Sequence, residues 1–301
     1  MLSHHGVGER DTRVKYLMGL GQRPLSKTVE MPLARAPRRA DASVASTARM
    51  YDFFLNGKDH YPADQRACQR LMGIAPQMQT LARAQRRFQH RAVREMSRNH
   101  QVTQFIDFGC GMPTWENTHQ VARRSHGAST VLYVDRDPMV VAHGQALLEE
   151  EGASAVVQGD LREAGDVLAH PDAAAIIDFT KPVAVLLVSV LHCLPDGDEP
   201  HSLVADLMQQ LPAGSYLIAS HLVSDDVQMR QSVTRLMRES TGDQWGRVRT
   251  AGEAAAFFKD MDIIGPPPGP VTSWRPESEL DRALSGPLIE YGAVARKRSR
   301  T

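Results

Sequence analysis

Phe105-Ile106-Asp107-Phe108-Gly109-Cys110-Gly111-Met112-Pro113-Thr114 is the stretch on which the fold turns. Its first half completes a short apolar run, Thr103–Phe108, that reads as a buried strand. Closing such a strand on Asp-x-Gly-x-Gly lets the backbone turn sharply and lets a ligand come close to it. In open α/β sheets, ligands lie beyond the carboxyl ends of the strands, and this turn is such an end. A Gly-x-Gly pair also punctuates ordinary strand–helix turns, so the neighbouring segments decide its meaning.

Downstream, the pattern alternates. Thr130–Val134, Ala155–Gln158, Val183–Val190 and Ser215–Ser220 read as further strands, separated by helical stretches near Glu116–Arg124, Pro138–Glu150, Glu163–Ala169 and Ser202–Leu211. Strand–helix alternation predicts parallel βαβ units. Later come a helix through Glu253–Lys259, the segment Asp262–Ile264, a proline-rich turn and a last strand, Ile289–Ala295. Two late strands joined by a long connection suit an antiparallel addition to a parallel sheet. Upstream, Thr47–Leu55 is apolar and aromatic, and a polar turn, Asn56–His60, follows it. A long helix is expected over Gln77–Asn99, with Leu81, Ala84, Phe88, Ala92 and Met96 on one face.

Two more strand ends carry acids. Asp135 closes the second strand 24 residues after Gly111, where a carboxylate accepts hydrogen bonds from the ribose hydroxyls of an adenosine cofactor. Asp137-Pro138 after it reads as a helix cap with proline at the first helical position. Asp160-Leu161 follows the third strand, placed for an adenine amine and ring edge, or for a simple cap at Asp160. The dinucleotide fingerprint requires a third glycine where Thr114 stands, which disfavours a pyrophosphate cofactor.

With these segments in hand, the chain resembles an actinobacterial-type family of S-adenosylmethionine (SAM) dependent methyltransferases, long catalogued as a domain of unknown function. The resemblance rests on Ala48–Tyr61, which includes Asn56-Gly57-Lys58-Asp59-His60, and on the glycine turn. It also rests on Tyr133–Pro138, Val190–Asp196, Ser215–His221, Ser273–Pro276 and Tyr291–Lys297. It spans about Asp41 to Arg298. Asn56 stands where the family often has glycine, and Glu116-Asn117-Thr118-His119 where Asp-Asn-Val-His is commoner.

The resemblance implies a class I Rossmann-like fold: a mostly parallel seven-stranded sheet with an antiparallel C-terminal strand and an N-terminal helical cap. The expected division is a basic extension over 1–40, a helical cap or lid over 41–100 and a SAM-binding domain over 101–298. SAM is the implied cofactor. Its expected contacts are Asp107, Gly109, Gly111, Asp135, Arg136, Asp160 and Leu161, with Tyr51, Lys58 and Asp59 from the cap; Lys58 and Asp59 could equally pair with each other. His192, after the fourth strand, is the candidate base, against a reading in which the backbone simply satisfies it. His221 is a weaker candidate. Trp245 and Trp274 could line a pocket or merely pack.

Composition narrows the rest. The 301 residues carry 35 Lys and Arg against 35 Asp and Glu, so no overall field favours nucleic acid or an anionic membrane. Residues 1–40 are locally basic but lack the interleaved aromatics of a nucleic-acid arm, and no Asn-Pro-Pro-Tyr-type motif occurs. Three cysteines without paired spacing fit a reducing compartment and no metal site. The longest apolar run is about half a membrane span, and no secretory leader stands out. The expectation is therefore a cytoplasmic enzyme that methylates a small molecule, oligomeric state open. A non-catalytic protein binding SAM or S-adenosylhomocysteine (SAH), and a NAD-dependent oxidoreductase, are the alternatives.

Overall fold

The computed structural model describes residues 41–277 and 286–298; the basic extension expected over 1–40 lies outside the described residues. Three helices come first: α1 (Thr47–Phe54), α2 (Pro62–Ile74) and α3 (Met78–Asn99). The alternating part follows as β1 (Gln104–Phe108), α4 (Thr118–Ser125), β2 (Thr130–Asp135), α5 (Pro138–Leu147), β3 (Ser154–Gln158), α6 (Ala164–Leu168), α7 (Pro171–Ile176), β4 (Ala184–Val188), α8 (Pro200–Gln210) and β5 (Tyr216–Val223). The chain closes with α9 (Val227–Thr241), α10 (Ala251–Ala255), β6 (Met261–Ile263), β7 (Gly269–Pro270) and β8 (Ile289–Lys297).

The sheet runs in the order β3-β2-β1-β4-β5-β8-β6, with the two-residue β7 also pairing β8. The first five of these strands are mutually parallel. β8 is antiparallel to β5 over eight register pairs, from Tyr216 opposite Arg296 to Val223 opposite Ile289. The seven expected strands are thus present, plus one short addition. The last strand is inserted between β5 and β6 rather than lying at the edge. β5 runs three residues beyond the expected Ser220 because β8 pairs with all of it.

Alternate positions along each strand feed opposite layers. Ile106, Phe108, Leu132, Val134 and Leu187 enter one apolar cluster with residues of α6, α7 and α8. Phe105, Val131, Tyr133, Leu186, Ile218 and Val294 enter the other, against Phe88, Ala92 and Met96 of α3. Each buried Val, Leu, Ile or Phe contributes about 1.5–3 kcal/mol, so a sheet covered on both faces is strongly held. A third cluster joins α1, α2, the start of α3 and α9 to Leu222 of β5. The described residues belong to one compact unit.

The asymmetry that matters for function lies at the carboxyl edge of the parallel strands. β8 runs the other way, so its first residues reach the same edge, and Glu290 stands opposite Leu222. Asp107, Asp135, Ser220 and Glu290 share alternation with Phe105, Tyr133, Ile218 and Val294 respectively. All four therefore belong to the sheet face that α3 covers.

Candidate functional site

The glycine turn is built as the sequence implies. Gly109 (φ 63°) and Gly111 (φ 68°) both adopt the left-handed conformation. A Cβ on Gly109 would lie 2.5 Å from a methyl of Val190, so no larger residue fits there without moving the β4 loop. The amide of Gly109 donates to the carbonyl of Val134 (2.7 Å), tying the end of β1 to the end of β2.

Two carboxylates converge on this turn. Asp135 accepts from the amides of Gly111 (3.0 Å) and Asp137 (2.9 Å). Asp107 accepts from the Gln89 amide (3.0 Å) and the Thr118 hydroxyl (2.7 Å). Burial pushes each from the ordinary 3.8 up to about 6; hydrogen bonds and nearby arginines hold the rise back. A carboxylate has about four acceptor positions, so Asp135 retains room for hydroxyl donors.

The other expected residues are placed as follows. Asp160 caps the short turn after β3: one oxygen accepts from the Arg162 amide (3.0 Å), the other from its guanidinium (2.7 Å). Leu161 is buried in the core behind it. Asp137 caps α5 through the Met139 amide (2.9 Å) and also takes a hydrogen bond from the Ser46 hydroxyl (2.9 Å), which docks the start of α1 beside Asp135. Arg136 donates to the Gln244 carbonyl (3.2 Å). The Tyr51 hydroxyl donates to the Ala82 carbonyl (3.1 Å) and meets the side-chain amide of Gln85.

The Asn56–His60 turn is organised around Asp52. Its carboxylate accepts from the Asp59 amide (2.9 Å) and meets His60 Nδ1 (2.8 Å). A Cβ on Gly57 would fall 1.8 Å from that carboxylate, and Asn56 takes φ 60°, so asparagine sustains the turn. Lys58 is exposed.

His192 is buried at 5% exposure, with its ring against Trp245 (centroids 4.6 Å) and edge-on to His221 (5.3 Å). Its Nδ1 accepts from the Leu222 amide (3.1 Å). Burial, reinforced by the Arg249 charge, lowers it to about 3. His221 contacts the Arg249 guanidinium through Nε2 (3.0 Å). Trp245 and Trp274 are both buried; Trp274 packs edge-to-face on Phe88 (5.6 Å).

Several residues of the site do not stand out in the sequence. Gln85, Arg86 and Gln89 of α3 flank its apolar stripe. Arg86 donates to the Thr114 hydroxyl and the Glu116 carbonyl, both at 2.6 Å, while its buried Nε has no partner among the described residues. Ser189 follows β4 directly, in the left-handed region (φ 58°), and Glu290 is the second residue of β8. The signal was there for some of them: Gln85 and Gln89 sit one helical turn apart beside the stripe, and Glu290 interrupts an apolar strand. Trp115, between the turn and α4, is 89% exposed.

A family model described as S-adenosyl methyltransferase matches residues 33–298. The chain belongs to that family. SAM is accordingly the family's methyl donor, and membership sets aside a nicotinamide cofactor. Among solved structures, a DUF574-family protein from Streptomyces avermitilis is 34% identical (TM-score 0.79), the match covering 85% of this chain and 99% of that one. A proposed methyltransferase from Thermobifida fusca is also 34% identical (TM-score 0.80), over 85% of this chain and 96% of its own. No curated protein matches. Set on this methyltransferase frame, the glycine turn, Asp107 and Asp135 lie where the parallel strands end, as a ligand site in such a sheet requires.

The residues present suit such a donor. SAM bears a sulfonium and an ammonium beside one carboxylate, and the turn is lined by two carboxylates whose pKa values burial raises. The free Nε of Arg86 lies on the helix that covers them. Among the described residues, no helix is long and apolar enough to cross a membrane, and no cluster of three or more His, Cys, Asp or Glu could hold a metal ion.

Proposed function

We propose that this methyltransferase transfers the SAM methyl group to a small-molecule acceptor in the cytoplasm. The observation that carries the site assignment is Asp135, held by the Gly111 amide at the end of β2. In this reading Asp135 binds the ribose hydroxyls, and the Gly109–Gly111 turn admits the methionine portion to close backbone contact. Arg86 takes its carboxylate, and Asp107 helps to hold the ammonium. Leu161 and Asp160 border the adenine, with Arg136 at the rim. Tyr51 closes the site from α1. Lys58 and Asp59 act through the turn they form around Asp52 rather than as direct ligands.

When bound, SAM supplies a methyl group activated by its sulfonium. The protein then has to align an acceptor and exclude water, which in favourable cases contributes about 7–11 kcal/mol. His192 serves this as part of the wall. Its acceptor nitrogen is committed to the Leu222 amide, so it has no lone pair there with which to take a proton.

Calorimetric titration with SAM, SAH and NAD, on the protein and on Asp135→Ala, tests the reading. Both adenosyl ligands should bind and NAD should not. The variant should lose about 10–100-fold in affinity, the value of a charge-assisted hydrogen bond. A folded protein that ignores SAM and SAH would remove the assignment.

A further inference from the structure

Glu290 has no role in the reading so far. It is 6% exposed, and only one of its carboxylate oxygens is satisfied: Oε1 accepts from the Ser189 hydroxyl (3.0 Å), while Oε2 has no hydrogen-bond partner among the described residues. Ser189 is itself held in its left-handed conformation by the Ser220 carbonyl (3.2 Å) and hydroxyl (3.1 Å) at the end of β5. A strained non-glycine residue kept in place to orient a buried acid is the kind of arrangement found at ligand sites.

The charges around Glu290 do not neutralise it. Burial raises the pKa of Tyr51 in α1 and of Cys193 in the loop after β4, and the Glu290 charge adds to the rise in both. Asp107 also acts on Tyr51, and Asp135 on Cys193, so Glu290 belongs to the same acidic surroundings as the glycine turn. The two nearby cations are engaged elsewhere, Arg86 with Thr114 and Glu116, and Arg136 with Gln244. No Lys or Arg among the described residues pairs with Glu290. Burial raises it to about 7, with the hydroxyls of Ser189 and Ser220 opposing the rise. A buried carboxylate in this position is stabilised by a cationic partner.

β8 lies three strands from β1, with β4 and β5 between them, so Glu290 is displaced from the glycine turn in the direction away from β2 and Asp135. We propose that Glu290, oriented by Ser189, is the acceptor-binding residue of the site, and that the acceptor is a primary or secondary amine bound as its ammonium ion. The inference rests on the methyltransferase reading above. A hydroxyl acceptor would satisfy the hydrogen bond but leave the charge unbalanced; an ammonium does both. Proton transfer from the ammonium to Oε2 leaves a neutral carboxylic acid and an amine whose nitrogen lone pair is free. No electrons change owner, and no further reactant is needed.

The test uses the full chain saturated with SAH. n-Butylamine, benzylamine and phenethylamine are titrated at about pH 8 against n-butanol, benzyl alcohol and phenethyl alcohol, where the amines are charged and Glu290 is largely ionised. At least one amine should bind about tenfold or more tighter than its alcohol, and Glu290→Gln should abolish the difference. Ser189→Ala, which keeps the acid but removes its orienting hydroxyl, should shrink the preference and serves if the first variant does not fold. Equal binding of amines and alcohols, no binding of either, or a preference that survives Glu290→Gln overturns the proposal. So does a Glu290→Gln loss of SAH affinity with 5′-methylthioadenosine affinity unchanged, which would assign the carboxylate to the donor's ammonium. Failure of the wild-type chain to bind SAH at all is a different result, and it sinks the methyltransferase reading beneath.

Discussion

At the scale of single residues, the site sets two kinds of buried titratable group against each other. His192 is neutral in the fold, lowered from 6.5 to about 3, so the unfolded chain binds the extra proton. Its contribution to stability is complete above pH 6.5 and is lost as the pH falls from there toward 3. Asp107 and Asp135, raised to about 6, act with the opposite sign: they favour the fold as the pH drops through that value. The whole-protein pH profile therefore mixes both, and a difference measurement separates them. Between about pH 7.5 and pH 5.5, wild type should lose about 1.4 kcal/mol more than His192→Asn in urea denaturation. Parallel losses would show that His192 protonates freely inside the fold. Placement was legible in the sequence where a side chain sits at a strand end, as Asp107 and Asp135 do, because position along the chain then fixes position in the sheet. The surroundings of Arg86 and Ser189 were not, because their partners Thr114, Glu116 and Ser220 are brought in by tertiary packing.

At the scale of elements, α1 and α2 are joined by one buried acid. Asp64 accepts from the Ser46 amide (2.9 Å), the Tyr61 amide (2.8 Å) and the Arg49 guanidinium (2.8 Å), and both charged side chains are buried. Asp64→Ala would leave the Arg49 charge only the more distant Asp137 carboxylate (3.9 Å) and should cost about 3–5 kcal/mol, read from chemical denaturation. Replacing the pair together, Arg49→Met with Asp64→Leu, should restore most of it; an unchanged deficit would mean that the backbone bonds of Asp64 dominate. The same acid explains why α2 was not read from the sequence. Its buried positions are Ala63, Asp64, Ala67, Cys68 and Leu71, small or polar residues that dilute the apolar period. α9 escaped as well, although Asp226 caps its start through the Gln228 and Met229 amides and Gly242 (φ 61°) ends it. Cap residues would have located it where its sparse stripe, Val233, Leu236 and Met237, did not. The parallel strands were readable to within three residues at each end because a sheet buried on both faces demands unbroken apolar runs.

At the scale of the molecule, the N-terminal helices are not a detachable cap. They share the third apolar cluster with α9 and with Leu222 of β5, which also supplies the amide that holds His192. Far-ultraviolet and near-ultraviolet circular dichroism should accordingly follow one thermal transition, since the N-terminal helices share their apolar cluster with α9 and β5. Two separated transitions would show the helices to be an independent domain. SAH at about a hundred times its dissociation constant should add about 2.7 kcal/mol to that single transition. Amide hydrogen exchange should show added protection in both α1 and the β1–α4 turn, since Ser46 ties α1 to Asp137 beside the glycine turn.

The exposure of Trp115 gives this protein a built-in optical probe. Of its three tryptophans, Trp245 and Trp274 are enclosed, while Trp115 stands in water beside the glycine turn. Iodide in solution should therefore quench one emitter and spare two, with the quenched light the reddest part of the spectrum. Adding SAH while watching only that component would report, without any label, whether the turn folds over its ligand or stays open to solvent.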